Sequence, residues 1–252
     1  MYLTFAWRYF KAKKSANAIN IIAWVTVGVI AFATCCQVLV LSVFNGFEDL
    51  VKSLYSSFYA DIKILPQTGK TCTLTAAQIA SIKKQPAVEN FSLIAEEKAL
   101  LKNYDAQTVI YLKGLEDNYK QVTVVASKTN RGKYLTGTTE EPLLVAGSGI
   151  QNAAALNFDP AFPADDLTVI LPKRNSRNND PLQSLSEGYI KAAGAFTIQQ
   201  EFDDKYAITN IDFVKQQMGF AADEYSGVEI KLKKDTDAKK KKKNIALLLG
   251  NN

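Results

Sequence analysis

The residues that most often perform catalysis or bind metals are scarce in this chain. It has no His and only three Cys among 252 residues. Without His, it lacks the commonest general base and the commonest zinc ligand, which excludes Ser-His-Asp, Cys-His and HExxH chemistry. Cys35 and Cys36 are adjacent and Cys72 stands apart, a pattern that excludes a disulfide framework or a four-Cys zinc site. The composition does not indicate a soluble enzyme, and we predict no cofactor and no bound metal.

Two short glycine-containing segments are similar to parts of nucleotide-binding loops. Gly69-Lys70-Thr71 matches the end of a phosphate-binding loop, but Ile64 occupies the position of its first glycine and Pro66 interrupts it. Gly147-Ser148-Gly149 is followed by Asn152 where a third glycine belongs. We interpret the first segment as a chance match and the second as a turn before a helix.

The positive charge of the chain is concentrated at its two ends. Residues 1–14 include four bases and no acid, and residues 239–243 are all Lys. The formal net charge is +5, but acids outnumber bases by four in the remainder of the chain. Nucleic-acid binding proteins spread basic residues over a folded face, so we predict no nucleic-acid partner.

The longest apolar stretch lies near the N-terminus. Residues 15–47 hold no charge, and residues 19–44 include five polar side chains. A helix of about 20 apolar residues spans a bilayer, so we predict a transmembrane helix over 19–44 after a cytoplasmic or interfacial segment over 1–18. The apolar run is too long for a signal peptide and continues past Cys35, which disfavours cleavage. The basic N-terminal flank predicts a cytoplasmic N-terminus and a main domain outside the membrane.

Apolar residues keep a helical spacing beyond the predicted span. The positions that form one stripe are Val43, Phe47, Leu50, Leu54 and Phe58. We therefore predict a stalk helix over 45–59. Its stripe packs either against the chain's own outer domain or against a second stalk, and a partial seven-residue repeat favours the second arrangement.

Short strand and helix patterns alternate from residue 60 onward. We expect strands near 61–65, 88–101, 108–112, 143–145, 167–171, 190–200, 206–208 and 228–232. We expect helices over 75–84, after Gly149 up to residue 157, over 211–218 and over 238–249. This mixture predicts an α+β domain over 60–238, followed by a basic terminal helix over 239–252.

Residues 173–188 are the longest polar stretch without periodicity. We interpret them as an exposed loop, which is either a solvated hairpin connection or a protein-docking loop. The candidate docking residues are Lys173, Arg174, Arg177, Pro181 and Leu182.

Several segments match motifs of one known family. Near the N-terminus they are residues 5–10 (FAWRYF), 20–25 (NIIAWV) and 41–48 (LSVFNGFE). Further along they are residues 111–115 (YLKGL), 194–196 (GAF) and 201–203 (EFD). Together these segments resemble LolC/LolE-type permeases of the FtsX/MacB superfamily, and the run over 41–48 is the most specific.

The resemblance implies a permease subunit of an ABC transporter in the inner membrane of a Gram-negative cell. Such complexes release lipoproteins towards the outer membrane by mechanotransmission. The implied partners are a cytoplasmic ABC ATPase, a second permease subunit in a homo- or heterodimer, and a periplasmic lipoprotein carrier or lipoprotein cargo. The subunit itself would be non-catalytic, with a MacB-like periplasmic core whose carrier-docking loop corresponds by position to 173–188.

These permeases have four membrane helices, three of which follow the periplasmic domain. Because the chain ends at Asn252, the resemblance implies an N-terminal part that stops before a second membrane span. Three alternatives are a MacB-like export permease, an FtsX-like membrane regulator of a periplasmic cell-wall hydrolase, and a stand-alone membrane-anchored sensor domain.

Overall fold

The computed structural model describes residues 2–11, 17–158, 161, 165–174 and 184–233. The chain divides into two compact units, Met1–Ser53 and Leu54–Asn252. The helix predicted over 238–249 and the centre of the loop predicted over 173–188 lie outside the described residues.

The described part of the first unit is helical. Helix α1 spans Tyr2–Lys11, and helix α2 spans Asn17–Phe58, so the last turn of α2 belongs to the second unit. By length and composition, Ile21–Phe58 is able to cross a membrane. The hydroxyls of Thr26 and Thr34 donate to carbonyls four residues earlier, at 2.9 and 2.8 Å, which satisfies these polar groups within the helix. The predicted span and the predicted stalk are one uninterrupted helix.

The second unit is built on a mixed sheet. Its described strands are β1 (Ile62–Ile64), β2 (Cys72–Thr73), β3 (Val88–Asn103), β4 (Ala106–Leu115), β5 (Thr129–Gly132), β6 (Leu143–Gly147), β7 (Asp166–Pro172), β8 (Leu185–Phe196), β9 (Tyr206–Asn210), β10 (Glu224–Tyr225) and β11 (Gly227–Leu232). Its described helices are α3 (Ala76–Lys83), α4 (Ser148–Ala153), α5 (Gln200–Asp203) and α6 (Ile211–Met218), with two 3₁₀ turns at Asp117–Gln121 and Val125–Lys128. The predicted class, one N-terminal apolar helix followed by an α+β domain, is confirmed.

Nine of the described strands form one sheet in the order β1-β11-β3-β4-β9-β6-β8-β5, with β7 paired to both β3 and β8. Two pairings, β4–β9 and β6–β8, are parallel, and the others in this sheet are antiparallel. Strand β3 is long enough to pair with β11 at one end and with β7 at the other. The small β2–β10 pair lies outside this sheet.

Apolar side chains pack on both faces of the sheet. In β6, Leu144 and Ala146 belong to the larger core cluster, while Val145 belongs to a second cluster. Strand β9 divides in the same way, with Ala207 in the larger cluster and Ile208 in the second. A strand that is buried on both faces has apolar residues at every position. This is why apolar and polar residues do not alternate over 143–146.

The element boundaries follow local signals. The hydroxyl of Thr75 accepts the backbone N–H of Gln78, and the Gln78 side chain accepts the N–H of Thr75, so a capping box starts α3. Helix α6 begins after Asn210, whose side chain caps it, and ends at Gly219, which has φ +70°. A left-handed residue at this position favours Gly and stops the helix.

Several predicted boundaries differ from the structure. Strand β4 spans Ala106–Leu115 rather than 108–112, and β8 ends at Phe196 rather than near 200. Strand β8 starts at Leu185 rather than near 190, because it pairs with β7 down to Pro172 and places alternate polar side chains in solvent. The predicted loop is therefore shorter than 173–188. Helix α4 ends at Ala153 rather than near 157, and Ala155 follows with φ +51°.

Candidate functional site

The C-terminal end of α2 is enclosed by aromatic side chains of the second unit. Phe58 is 1% exposed. Its ring stacks on Phe202 with centroids 4.7 Å apart, and Tyr206 and Phe196 lie at 4.6 and 6.0 Å. Phe58 and the six side chains around it form a cluster that we call the helix seat. The six are Lys113, Tyr119, Phe196, Phe202, Tyr206 and Glu229.

Short elements at one end of the sheet position the aromatic part of the helix seat. Phe196 ends β8, Phe202 lies in α5 and Tyr206 begins β9. The carboxylate of Asp203 accepts the backbone N–H of Ile198 at 3.0 and 3.2 Å, which fixes the turn between β8 and α5. Burial raises the pKa of Asp203, and the hydrogen bond from Ile198 opposes this rise.

A buried ion pair forms the polar part of the helix seat. The Nζ of Lys113 donates to Oε1 of Glu229 at 2.7 Å, and the two side chains are 1% and 0% exposed. The same Nζ donates to the Tyr119 hydroxyl at 2.8 Å, and that hydroxyl donates to Oε2 of Glu229 at 2.5 Å. All three polar groups therefore find partners inside the core, as buried polar groups require.

Two polar groups of the helix seat lie close to Phe58, the last residue of α2. The Lys113 ammonium lies 5.2 Å from the centroid of the Phe58 ring, and the Tyr119 hydroxyl lies 3.4 Å from the Phe58 carbonyl oxygen. The Tyr119 hydroxyl therefore reaches the carbonyl at the end of α2, whereas the Lys113 ammonium lies over the Phe58 ring.

Burial and neighbouring charge set the protonation of the seat. Burial raises the pKa of Tyr119 well above its usual range, and the adjacent Glu229 carboxylate raises it further. Burial alone would raise the pKa of Glu229, but Lys113, the Tyr119 hydrogen bond and Lys63 together bring it below its usual value. Burial likewise raises the pKa of the neighbouring Tyr134 to about 12. The tyrosines stay protonated near neutral pH while Glu229 stays ionised.

The five residues of the predicted stalk stripe differ in how far they are exposed. Val43, Phe47 and Leu50 are 72%, 62% and 57% exposed. Leu54 is half-buried, and Phe58 is in the core. The last residue of the stripe is therefore part of the domain, and a packing role for the other four stays a prediction.

Two of the five predicted docking residues lie within the described part of the chain. The N–H of Lys173 donates to the Ser184 carbonyl at 2.7 Å, just beyond the β7–β8 pairing. The guanidinium of Arg174 pairs with the Glu224 carboxylate and is about half exposed. Arg177, Pro181 and Leu182 lie outside the described residues.

The Gly69-Lys70-Thr71 segment uses its side chains within the domain. The Nζ of Lys70 pairs with Glu97 at 2.8 Å, and the Thr71 hydroxyl donates to Glu224 at 2.5 Å. Cys72, directly after it, is half-buried, and burial raises the pKa of its thiol. Among the described residues, no group of three or more Cys, Asp or Glu side chains is placed to hold a metal ion.

Sequence reasoning missed the polar residues of the helix seat. Lys113 interrupts an apolar strand between Leu112 and Gly114, and Glu229 lies between Val228 and Ile230. A basic residue in one apolar strand and an acidic residue in another were the signal from which a buried ion pair could have been predicted. The pairing of β4 and β11 with opposite edges of β3, which brings these strands close together, was not visible in the sequence.

Comparison with solved structures gives the fold of the second unit. The extracellular domain of the noncanonic ABC-type transporter YknZ from Gram-positive bacteria matches with a TM-score of 0.50 and 15% identity, over 75% of this chain and 91% of that one. The unit has the fold of a transporter extracellular domain. The periplasmic region of MacB from Actinobacillus actinomycetemcomitans matches with a TM-score of 0.48 and 14% identity, over 74% of this chain and 81% of that one.

A domain of a putative permease from Porphyromonas gingivalis matches with a TM-score of 0.42 and 9% identity, over 72% of this chain and 70% of that one. No protein-family model matches the sequence. No curated protein matches it either.

Proposed function

We propose that this chain is a non-catalytic permease subunit of an ABC-type transporter. In this proposal α2 crosses the inner membrane with the N-terminus in the cytoplasm, and the second unit works in the periplasm. A separate cytoplasmic ATPase and a second permease subunit complete the complex. One observation carries the proposal: an apolar helix of membrane-spanning length ends in the core of a unit with the fold of a transporter extracellular domain.

The mechanism that follows is mechanical. Helix α2 is continuous from Asn17 to Phe58, so a displacement at its N-terminal part passes along a helix rather than a flexible linker. At the C-terminal end of α2, Phe58 is buried in the second unit beside the ion pair of Lys113 with Glu229, which attaches the helix to the sheet. ATP-driven motion at the membrane is thereby passed to the periplasmic unit.

Within this class, we propose release of lipoproteins towards the outer membrane. The run over 41–48 supports this branch through its resemblance to LolC/LolE-type permeases. The connection between β7 and β8 is then the carrier-docking loop. Its residues are Lys173, Arg174, Arg177, Pro181 and Leu182. The Lys173–Ser184 hydrogen bond closes the base of this loop, which suits a segment presented to a partner.

A MacB-like export permease is the second candidate. The likeness of the fold to the extracellular domain of YknZ, a noncanonic ABC-type transporter, supports it as much as it supports the first candidate. The two candidates share the anchoring and the mechanical role and differ in the protein that docks on the second unit.

Purification from native membranes tests the proposal. The protein is tagged, carries a photocrosslinking residue at position 177 and is irradiated in living cells. Co-purification of an ATPase with Walker motifs is expected. A crosslink to a lipoprotein carrier supports lipoprotein release, whereas a crosslink to a periplasmic adaptor supports export. The same crosslinker at the exposed Lys84 is the matched control and should capture neither protein. Recovery of a cell-wall hydrolase with no ATPase would overturn the transporter proposal.

A further inference from the structure

Strand β5 ends the large sheet and has one edge without a paired strand. Within the described part of the chain, β5 pairs only with β8, through residues 194–196. Thr129 is half-buried, and the other three residues of β5 are exposed. The outer edge of such a strand presents backbone N–H and C=O groups to which an extended segment of another protein can add as a further strand.

The surface around β5 is basic. Residues 118–139 include four bases and no acid, although acids outnumber bases in the chain outside its two ends. The four bases are all exposed and are Lys120, Lys128, Arg131 and Lys133. Among the described residues, no carboxylate forms an ion pair with any of them. Charges on an edge strand keep other strands away, but charges of a single sign also attract a segment of the opposite sign.

A groove of 670 Å³ lies beside β5. Arg131 and Gly132 line it on the side of β5, and residues 151–158 line the rest. The lining residues include one base, no acid and three amide side chains, namely Gln151, Asn152 and Asn157. Amide groups donate and accept hydrogen bonds, which suits a peptide backbone. The ring of Phe158, which is half-buried, provides an apolar contact in the same groove.

We propose that β5 and this groove form a docking site for an extended acidic segment of a partner protein. The segment adds to the outer edge of β5, and its carboxylates pair with Lys128, Arg131 and Lys133. Because successive side chains of a strand point to opposite faces, apolar residues that alternate with the acids contact Phe158.

This site is separate from the predicted docking loop. Residue Gly194 of β8 pairs with β5, whereas the loop meets β8 at Leu185. At about 3.3 Å per residue, these two positions are roughly 30 Å apart along the strand. The acidic-segment site is a property of the second unit and does not depend on the proposed transport role.

Fluorescence anisotropy with the full chain in detergent micelles tests this proposal. The probe is a short fluorescein-labelled peptide in which Glu and Val alternate, and we expect it to bind. A peptide with Lys in place of Glu should not bind. Methylating the backbone nitrogens of all Val or of all Glu removes the N–H groups from one edge of the peptide. Only the methylated edge that faces β5 should matter, with a loss of about three- to tenfold for each hydrogen bond removed.

Two double variants make this result specific. Arg131→Glu/Lys133→Glu should weaken binding by about tenfold or more, because two attractive contacts become repulsive. Lys84→Glu/Lys102→Glu makes the same change in net charge at two exposed positions outside the site and should leave binding unchanged. Near-UV circular dichroism checks that both variants are folded. The proposal is overturned if the Glu–Val peptide does not bind the wild type, if both double variants bind it alike, or if the two methylated peptides lose affinity equally.

Discussion

The ion pair of Lys113 with Glu229 illustrates how a buried charge is tolerated. An isolated ion in the core costs several kcal/mol, so each partner depends on the other and on the Tyr119 hydroxyl. Removing one partner is therefore far more damaging than removing both. Removal of Lys70, which pairs with Glu97 but is 76% exposed, matters much less, because solvent screens the lysine charge itself, although it reaches the partner carboxylate only partly.

Lys113→Met should lower the free energy of unfolding of the second unit by about 3–5 kcal/mol, because Glu229 is left uncompensated. The double variant Lys113→Met/Glu229→Met should recover most of this loss. Urea denaturation followed by near-UV circular dichroism of the tyrosines measures both changes. Lys70→Met, at a lysine that is 76% exposed, is the control and should cost less than about 1 kcal/mol. A double variant as unstable as the single one would contradict this account.

The lowered pKa of Glu229 has a consequence for acid stability. A carboxylate whose pKa is lower in the folded state stabilises the fold above its unfolded value of 4.5 and loses this contribution as the pH falls through the folded value. Glu229→Gln cannot ionise and lacks the contribution at every pH. The difference in free energy of unfolding between wild type and Glu229→Gln should therefore narrow below pH 4.5. Denaturation curves between pH 7 and pH 3 measure it, and a constant difference would exclude this role.

At the scale of elements, the apolar stripe of α2 is exposed over most of its length and buried at its C-terminal end. Its predicted spacing continues from Val43 to Phe58, but only the final residue reaches a core. Burial on folding, rather than apolar character alone, decides how much each position stabilises the second unit.

Phe58→Ala should lower the free energy of unfolding of the second unit by about 3–5 kcal/mol, because it leaves a cavity between Phe202 and Tyr206. Leu50→Ala, two turns earlier on the same stripe, should change it by less than about 0.5 kcal/mol, since Leu50 is 57% exposed. The same denaturation assay in micelles compares them. Equal losses for the two variants would show that the stripe is buried along its whole length.

The sequence predicted elements with strong local signals and missed those that depend on distant pairing. Helix α6 matches its prediction from Ile211 to Met218, because a capping Asn and a left-handed Gly bound it. Strand β5 was not predicted, because Thr129–Gly132 is mostly exposed and polar and is a strand only through pairing with β8. The helix seat was missed for the same reason. It joins residues from 58 to 229 that only the sheet order brings together.

At the scale of the whole molecule, the proposed orientation follows from the basic residues before α2. Helix α1 and residue 128 should therefore be accessible from opposite sides of the membrane. Single cysteines placed in a background without Cys35, Cys36 and Cys72 report this directly.

Lys128→Cys, at an exposed position in the second unit, should react with a membrane-impermeant maleimide in spheroplasts. Arg8→Cys, exposed on α1, should react only after permeabilisation. The labelled fraction on a denaturing gel measures both, and labelling with a permeant maleimide controls for intrinsic reactivity. The reverse pattern would invert the proposed topology, and equal labelling of both sites without permeabilisation would argue against a membrane span.

Strand β3 extends from the helix seat to strand β7, which precedes the predicted docking loop. Ile94 lies in the core cluster that contains Phe58, and Leu100–Lys102 pair with β7, which leads to the predicted docking loop. At about 3.3 Å per residue, the sixteen residues of β3 span a length of roughly 50 Å. Inserting a single amino acid midway would invert every side chain of one half, turning Leu101 outward and Lys102 inward. Insertional scanning should therefore find β3 the least tolerant segment of the domain, whereas its hairpin tip at Tyr104 accepts added length.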